Sequence, residues 1–501
     1  MKDPLLLTMG LLVLPFTSIF AQEKPNIVFI FADDMNFNCM SNLGDDVVYT
    51  PNLDQLRESG MHFTHAFNQG GWRSAISAAS RAMLNTGKYL WKAKKTVTDK
   101  GFKEQCQNQP TLWSQYMSKE GYKTYMTGKW HVAASASDVF DEANHVRGAM
   151  PKQTPEGYGY SEKNPKGRKF IKGQEDVWKP YDKKFGGFWE GGKHWSEIVR
   201  DDALSYIEKA SKDDKPFFMY LAFNAAHDPR QSPKRCIDMY PVDKVTVPKN
   251  FQPQYPYIYD IGCGPRLHDE KLAPFPRTEY AVQVNRQEYY AIISHMDEQI
   301  GRIIDALKRS GKYDNTYIIF TADHGLCMGE HGLLGKQNMY DAALRVPMII
   351  CGPGIKKGTC SDMVYLQDAM ATALDIADSP SIKDVDYQSL LNLAEGKNDD
   401  EAANKYMYGA YINLQRMVRS NRFKMIMYPK NNKVRLYDLL NDPLEMHDLA
   451  SDLKYKPVAD QLFKEFKKLQ QKTGDEMDLT PCYVNFYKKL NPNSVKEVVA
   501  K

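Results

Sequence analysis

The 501-residue chain has no Cys-x-x-Cys pair: Cys39, Cys106, Cys236, Cys263, Cys327, Cys351, Cys360 and Cys482 are scattered along it. That spacing excludes a zinc ribbon or a thioredoxin-type centre, and eight cysteines over such a length form no disulfide framework. Their pairing is left open. An excess of one charge is also missing. Lys plus Arg number 66 and Asp plus Glu 62, a formal net charge of +4. This gives no bulk footprint for nucleic acid but leaves room for a local basic pocket. Internal repeats are absent, and beyond the N-terminus no apolar run is long enough to cross a bilayer. What is present is ordinary for a globular protein: 42% apolar and 26% charged residues. That balance excludes a disordered or collagen-like chain, and the length calls for one large domain or two.

The first residues form a distinct segment. Lys2 precedes an apolar stretch over 4–16 (PLLLTMGLLVLPF), followed by Thr17, Ser18 and Ala21. A charged start, a short apolar centre and a small-residue exit read as a signal peptide over 1–21, cut after Ala21. A membrane anchor would need a longer run, no Pro15 and a basic flank. No cysteine follows the cut to carry a lipid. The expected product is exported, periplasmic or secreted, with no membrane segment left.

Short apolar runs then alternate with helical patterns, which predicts an α/β fold with a mostly parallel sheet sandwiched by helices. The clearest runs are 26–32 (NIVFIFA), 122–127, 216–223 (PFFMYLAF), 316–321 (TYIIFT) and 346–350. Between the third and fourth, an amphipathic helix is predicted over 286–310, with Tyr290, Ile293, Ile300, Ile303, Ile304 and Leu307 on one face and Gly311 as its stop. The stretches 136–196 and 229–280, rich in Gly, Pro, Lys and aromatics without periodicity, read as surface insertions of the kind that carry selectivity. A composition shift near 379–400 marks a boundary between a main domain over 22–385 and a smaller α+β subdomain over 400–501. The latter carries hairpin-like segments at 405–411, 415–428 and 433–439, then a helical pattern at 457–472.

In a parallel α/β sheet, ligands collect at the carboxyl ends of the strands. The predicted strands exit into Asp33-Asp34, Gly128-Lys129-Trp130-His131, His227-Asp228 and Asp323-His324-Gly325. Singly, such residues are more often caps and solvated turns than ligands. Together, Asp33, Asp34, Asp323 and His324 make a candidate site for a hard divalent cation. Three carboxylates favour Ca²⁺ or Mg²⁺ over zinc and need a cation to offset their repulsion. Lys129, His131, His227 and Lys336 would then surround an anion over the metal, the arrangement that sulfuryl or phosphoryl transfer demands. For Lys336 the alternative is a solvated loop lysine. The segment 77–87 (SAASRAMLNTG) predicts a short helix with Ser77 at its positive N-terminus, or simply an N-cap serine.

That segment resembles the Cys/Ser-x-Pro/Ala-Ser-Arg-x-x-Leu-x-Thr-Gly signature of the formylglycine-dependent sulfatases, within the alkaline-phosphatase-like superfamily. The Asp33-Asp34 entry, Thr50-Pro51-Asn52-Leu53-Asp54, Gly128-Lys129-Trp130-His131, Thr321-Ala322-Asp323-His324-Gly325, Leu436-Tyr437-Asp438-Leu439 and Asp442-Pro443-Leu444-Glu445 resemble family landmarks in the family's order. The resemblance implies that Ser77 is converted to formylglycine, and that Asp33, Asp34, Asp323 and His324 hold one Ca²⁺ together with that side chain. It further implies that Arg81 and Lys129 fix the hydrated aldehyde, that Lys129, His131 and Lys336 bind sulfate, and that His227 protonates the leaving alcohol. Serine in place of cysteine points to a radical, oxygen-independent maturation enzyme as partner. Ala79 stands for the commoner Pro, His324 for a frequent Asn, and the segment before His227 lacks a frequent Pro.

The expected substrate is a sulfated carbohydrate. Trp178, Trp189 and Trp195, with Tyr158 and Tyr160, offer faces for sugar packing beside a basic rim of His145, Arg147 and His194, unless they pack the insertion itself. Trp72 is near enough to Ser77 to border the pocket. A phosphate or phosphonate monoester hydrolase on the same fold, or a glycan-binding relative in which Ser77 stays unconverted, are the alternatives.

Overall fold

The computed structural model describes residues 23–41, 43–44, 48–399 and 401–491. The leader expected over 1–21 and the last ten residues of the C-terminal subdomain lie outside the described residues. Among the described residues no helix is long and apolar enough to cross a membrane, and all eight cysteines are free.

The strands are β1 (Asn26–Ala32), β2 (Met61–Phe67), β3 (Gly70–Gly71), β4 (Lys123–Lys129), β5 (Glu142–Arg147), β6 (Phe217–Ala222), β7 (Thr316–Ala322), β8 (Arg345–Val346), β9 (Met348–Cys351), β10 (Gly358–Tyr365), β11 (Met407–Tyr411), β12 (Gln415–Arg419), β13 (Phe423–Tyr428) and β14 (Lys433–Asp438). The large sheet runs β10-β2-β9-β7-β1-β6-β4-β5, with β8 also on β2. From β5 through β4, β6 and β1 to β7 every pairing is parallel. All seven residues of β1 are buried, as a strand covered on both faces requires, and this accounts for its unbroken apolar run. The expected mostly parallel sheet is therefore present, with helices against it and a C-terminal subdomain behind it.

Three departures have local causes. The run at 346–350 is split between β8 and β9, both antiparallel to β2. Strands β5 and β10 have largely part-exposed residues, so no apolar run announced them. The long helix spans Glu279–Arg309 rather than starting at 286, because Thr278 caps it by accepting a hydrogen bond from the Ala281 N–H at 3.2 Å.

That helix also explains the Thr50-Pro51-Asn52 segment. The helix Pro51–Ser59 has no side-chain cap of its own. Asp297 supplies one, accepting from Leu53 N (2.8 Å), Asn52 N (3.2 Å) and Asn52 Nδ2 (2.7 Å).

The second sheet has the order β14-β13-β12-β11-β3. The helix Lys456–Thr473 packs on it. Its edge strand β3 comes from far earlier in the chain and pairs Gly70 with Ala410. A Cβ at Gly70, where φ is +85°, would lie 2.1 Å from the Ala410 carbonyl oxygen, so only glycine allows this approach. The smaller sheet is thereby fastened to the segment that leads into Ser77.

Candidate active site

Strands β1, β4, β6 and β7 run in one direction, so their carboxyl ends share one edge of the sheet, and the functional side chains stand there. Successive side chains of an extended chain point to opposite sides. Asp34 breaks that alternation with φ of 60°. Asp33 and Asp34 are both fully buried, and with Asp323 and His324 they bring ligand atoms within 4.8 Å of one another. The Asp34 N–H donates to Asp323 Oδ1 at 3.2 Å.

Ser77 enters from the helix Ile76–Thr86, which is buried along its whole length and ends on left-handed Gly87. Small residues at Ala78, Ala79 and Ala82 let this helix sit inside the molecule. Ser77 Oγ lies 3.0 Å from His324 Nε2 and 3.3 Å from Asp33 Oδ1. One turn on, Arg81 donates from Nε to Asp323 Oδ2 (3.0 Å) and from Nη1 to the Lys129 carbonyl (2.7 Å). Lys129 in turn donates from Nζ to Asp33 Oδ2. The opposite wall is Lys336, whose Nζ is 2.6 Å from Asp34 Oδ2 and 3.0 Å from His227 Nε2. At 3% exposure, Lys336 is not a solvated loop lysine.

Crowding of charge shapes the protonation states. Burial and the neighbouring Asp323 and Asp34 push Asp33 up to about 7, against the pull of Lys129. Burial acts on Asp34 too, but His227, Lys336 and His324 outweigh it and hold that carboxyl below its usual range. Burial and the Lys129 and Arg81 cations bring His131 down to about 3, so it stands neutral. His227 is pushed up to about 9: burial and Lys336 lower it, while Asp34 and Asp228 more than compensate. One carboxyl forced toward neutrality among three is the strain that a bound cation relieves. Asp34 Oδ1 is also buried without a hydrogen-bond partner, and the residues present fit an oxygen-seeking divalent ion.

Above this cluster opens a cleft of about 370 Å³, onto which Ser77, Lys129, His131, His227 and Lys336 all face. The residues nominated from sequence therefore converge on one place. Sequence reasoning missed His268, Asp269, Arg266 and Met150, which also line the cleft. They come from the two insertions, where no periodicity or strand exit marked them; the polar run His268-Asp269-Glu270 was the available signal.

Of the two readings of the insertion's aromatics, packing of the insertion itself is the one the structure shows. Trp178, Trp189 and His194 are buried at 3%, 7% and 0% exposure and pack the first insertion: Trp178 against Phe185 at 4.8 Å, His194 stacked on Phe188 at 5.0 Å. Trp195 is covered by Arg147 at 4.2 Å, and His145 pairs with Asp202. Trp72 lines a separate cleft with Trp91 and Arg416. Of that group Tyr158 alone approaches the site, through His268.

Comparison with known proteins agrees with this geometry. The sulfatase family model matches residues 25–379, and the model for the C-terminal region of N-sulphoglucosamine sulphohydrolase matches 329–472. The chain is 28% identical to an arylsulfatase of Clostridium perfringens, over 88% of this chain and 93% of that one. It is 26% identical to an N-acetylglucosamine-6-O-sulfatase of Bacteroides thetaiotaomicron, over 90% and 87%. Among solved structures, BT4656 in complex with its substrate D-glucosamine-2-N,6-O-disulfate superposes with a TM-score of 0.68 at 23% identity, covering 92% of this chain and 99% of that one. A phosphonate monoester hydrolase of Agrobacterium radiobacter shares the fold at a TM-score of 0.67 and 20% identity, over 92% and 97%. With the sulfatase model matched over most of its length, the chain belongs to the sulfatase family of sulfuric ester hydrolases.

Proposed function

We propose that the protein removes O-sulfate groups from carbohydrate, with Ser77 as the precursor of formylglycine beside a Ca²⁺ ion held by Asp33, Asp34, Asp323 and His324. The observation that carries this reading is the placement of Ser77 Oγ, at a helix N-terminus, within 3.3 Å of the acidic cluster and at the floor of a cationic cleft. When bound, the ion would offset negative charge on the reacting oxygens, and the hydrated aldehyde would offer one hydroxyl as nucleophile and a second whose deprotonation lets sulfate be expelled and the aldehyde re-form. The chain's own residues do the rest. Arg81 and Lys129 orient the nucleophile, Lys129, His131 and Lys336 hold sulfate oxygens, and His227 delivers a proton from Nε2 to the leaving oxygen. The sulfated sugars on which its relatives act support a carbohydrate substrate. The leader at 1–21 supports export, and the serine supports maturation by a radical enzyme.

The test is protein from an anaerobic host that carries such a maturation enzyme. The expected Ser77 peptide is lighter by two hydrogens and reacts with carbonyl reagents, and turnover of sulfated sugars rises in proportion to conversion. Preference for aryl phosphate or phosphonate over sulfate would instead favour the phosphonate-hydrolase reading. Full-rate turnover by wholly unconverted protein would refute the mechanism.

A further inference from the structure

A carboxylate–imidazole pair beside His227 has no part in the chemistry assigned so far. Asp228 is 1% exposed, and its carboxylate stands between two imidazoles. Oδ2 lies 2.8 Å from His268 Nε2. Oδ1 lies 2.9 Å from His227 Nδ1, which is also 2.9 Å from the Asp228 carbonyl oxygen. The Asp228 carbonyl oxygen accepts the Nδ1 hydrogen of His227, while Oδ1, with no hydrogen bond of its own, lies against the ring as a charge partner. Nδ1 therefore keeps its hydrogen, and Nε2 is the nitrogen turned to the cleft, 3.0 Å from Lys336 Nζ. His268 arrives from the second insertion and is about one-third exposed. Its other nitrogen lies 3.4 Å from the Tyr158 hydroxyl, and the two rings meet edge-on at 5.5 Å. A carboxylate tethered through one oxygen can rotate. Held by an imidazole on the other, it cannot turn away from His227.

We propose that His268 is a positioning residue for leaving-group protonation, acting through Asp228 on His227, and that this device suits the site to sulfate esters of aliphatic alcohols such as sugar hydroxyls. The inference rests on the function proposed above. In the step concerned the hydroxyl oxygen of the Ser77-derived nucleophile bonds to sulfur as the S–O bond to the leaving group breaks, and the electron pair of the broken bond stays on the leaving oxygen. That oxygen takes the proton from His227 Nε2, and His227 ends neutral with its Nδ1 hydrogen still on the Asp228 carbonyl oxygen. An alkoxide needs that proton; a nitrophenolate, stable as the anion, needs it little. The contribution of His268 therefore scales with the basicity of the leaving group.

The experiment compares converted wild-type enzyme with His268→Ala, His268→Gln, His227→Ala and the double variant His227→Ala/His268→Ala. The substrates are 4-nitrophenyl sulfate, phenyl sulfate and a monosaccharide sulfate. For His268→Ala the expected loss in kcat/KM grows from about threefold on the nitrophenyl ester to about a hundredfold on the sugar ester, the lower end of what general acid catalysis supplies. His268→Gln, which keeps an N–H for Asp228, recovers most of that loss. In the His227→Ala background, removing His268 costs nothing more. An equal loss on all three esters, no loss on any, or additive losses in the double variant would each overturn the proposal while leaving the sulfatase reading intact. Failure of converted wild-type enzyme on every ester would overturn that reading, and this one with it. If His268→Ala does not fold, Asp228→Asn must show the same leaving-group dependence.

Discussion

Replacing Lys336 probes the charge balance of the site. A lysine in a solvated loop can be removed at little cost. Lys336 is buried, with Asp34 Oδ2 at 2.6 Å, Asp269 Oδ1 at 3.5 Å and His227 Nε2 at 3.0 Å. Burial disfavours its ammonium, yet Asp269 and Asp34 outweigh burial and hold the group charged, above the ordinary lysine range. Taking away one partner of a buried pair leaves the other uncompensated, at a cost of about 3–5 kcal/mol. Lys336→Met, which keeps the stem and removes the charge, should lose stability of that order in chemical denaturation with chelator present. Added Ca²⁺ should recover more for this variant than for wild type, because Asp34 is then short of one cation. On sulfate esters kcat/KM should fall by about 10²–10³, the usual effect of losing one donor to developing oxyanion charge. A variant as stable as wild type with and without Ca²⁺, and within about threefold in kcat/KM, would refute the assignment of Lys336 to both the metal cluster and the sulfate site.

Two further predictions concern the frame that carries the site. Burial pushes Asp297 up to about 6 against the donors Leu53 N and Asn52. Between pH about 4 and 6 the native state thus holds a proton that the unfolded chain has released, and this group's contribution to stability falls as pH rises through that window. The decline amounts to about 3 kcal/mol; Asp297→Asn should abolish it, and parallel stability–pH curves for the two proteins would contradict the reasoning. Gly301, inside the same helix, would ordinarily gain stability on change to Ala. Here a Cβ would lie 2.2 Å from Asn52 Oδ1, and Asp297 holds Asn52 in place. Gly301→Ala should therefore cost about 1–3 kcal/mol, and a melting temperature at or above wild type would show that Asn52 yields freely.

The residues themselves determined the central strands and what stands at their ends. Strands β1, β6 and β7 are covered on both faces and read as nearly continuous apolar runs, whereas β4 (KTYMTGK) is buried with only Tyr125 and Met126 at its centre; in each the polar residue at or just past the strand's end is visible without coordinates. Asp33, Asp34, Lys129, His227 and Asp323 were found in this way, and Ser77 and Arg81 through the resemblance of the segment 77–87 to the family signature. What needed the tertiary structure was everything that depends on pairing between distant segments. The edge strands β5 and β10 bury too little to leave a pattern. Gly70 and Gly71 become a strand only because Ala410 and Tyr411 lie beside them. The tryptophans of the first insertion face inward because its own Phe185 and Phe188 receive them. His268 and Asp269 reach the cleft because their insertion folds back over the sheet edge. Local pattern records whether a side chain will be buried; which carboxylate or imidazole it meets there is set by topology, and for this protein that decided the partners of Lys336 and His227.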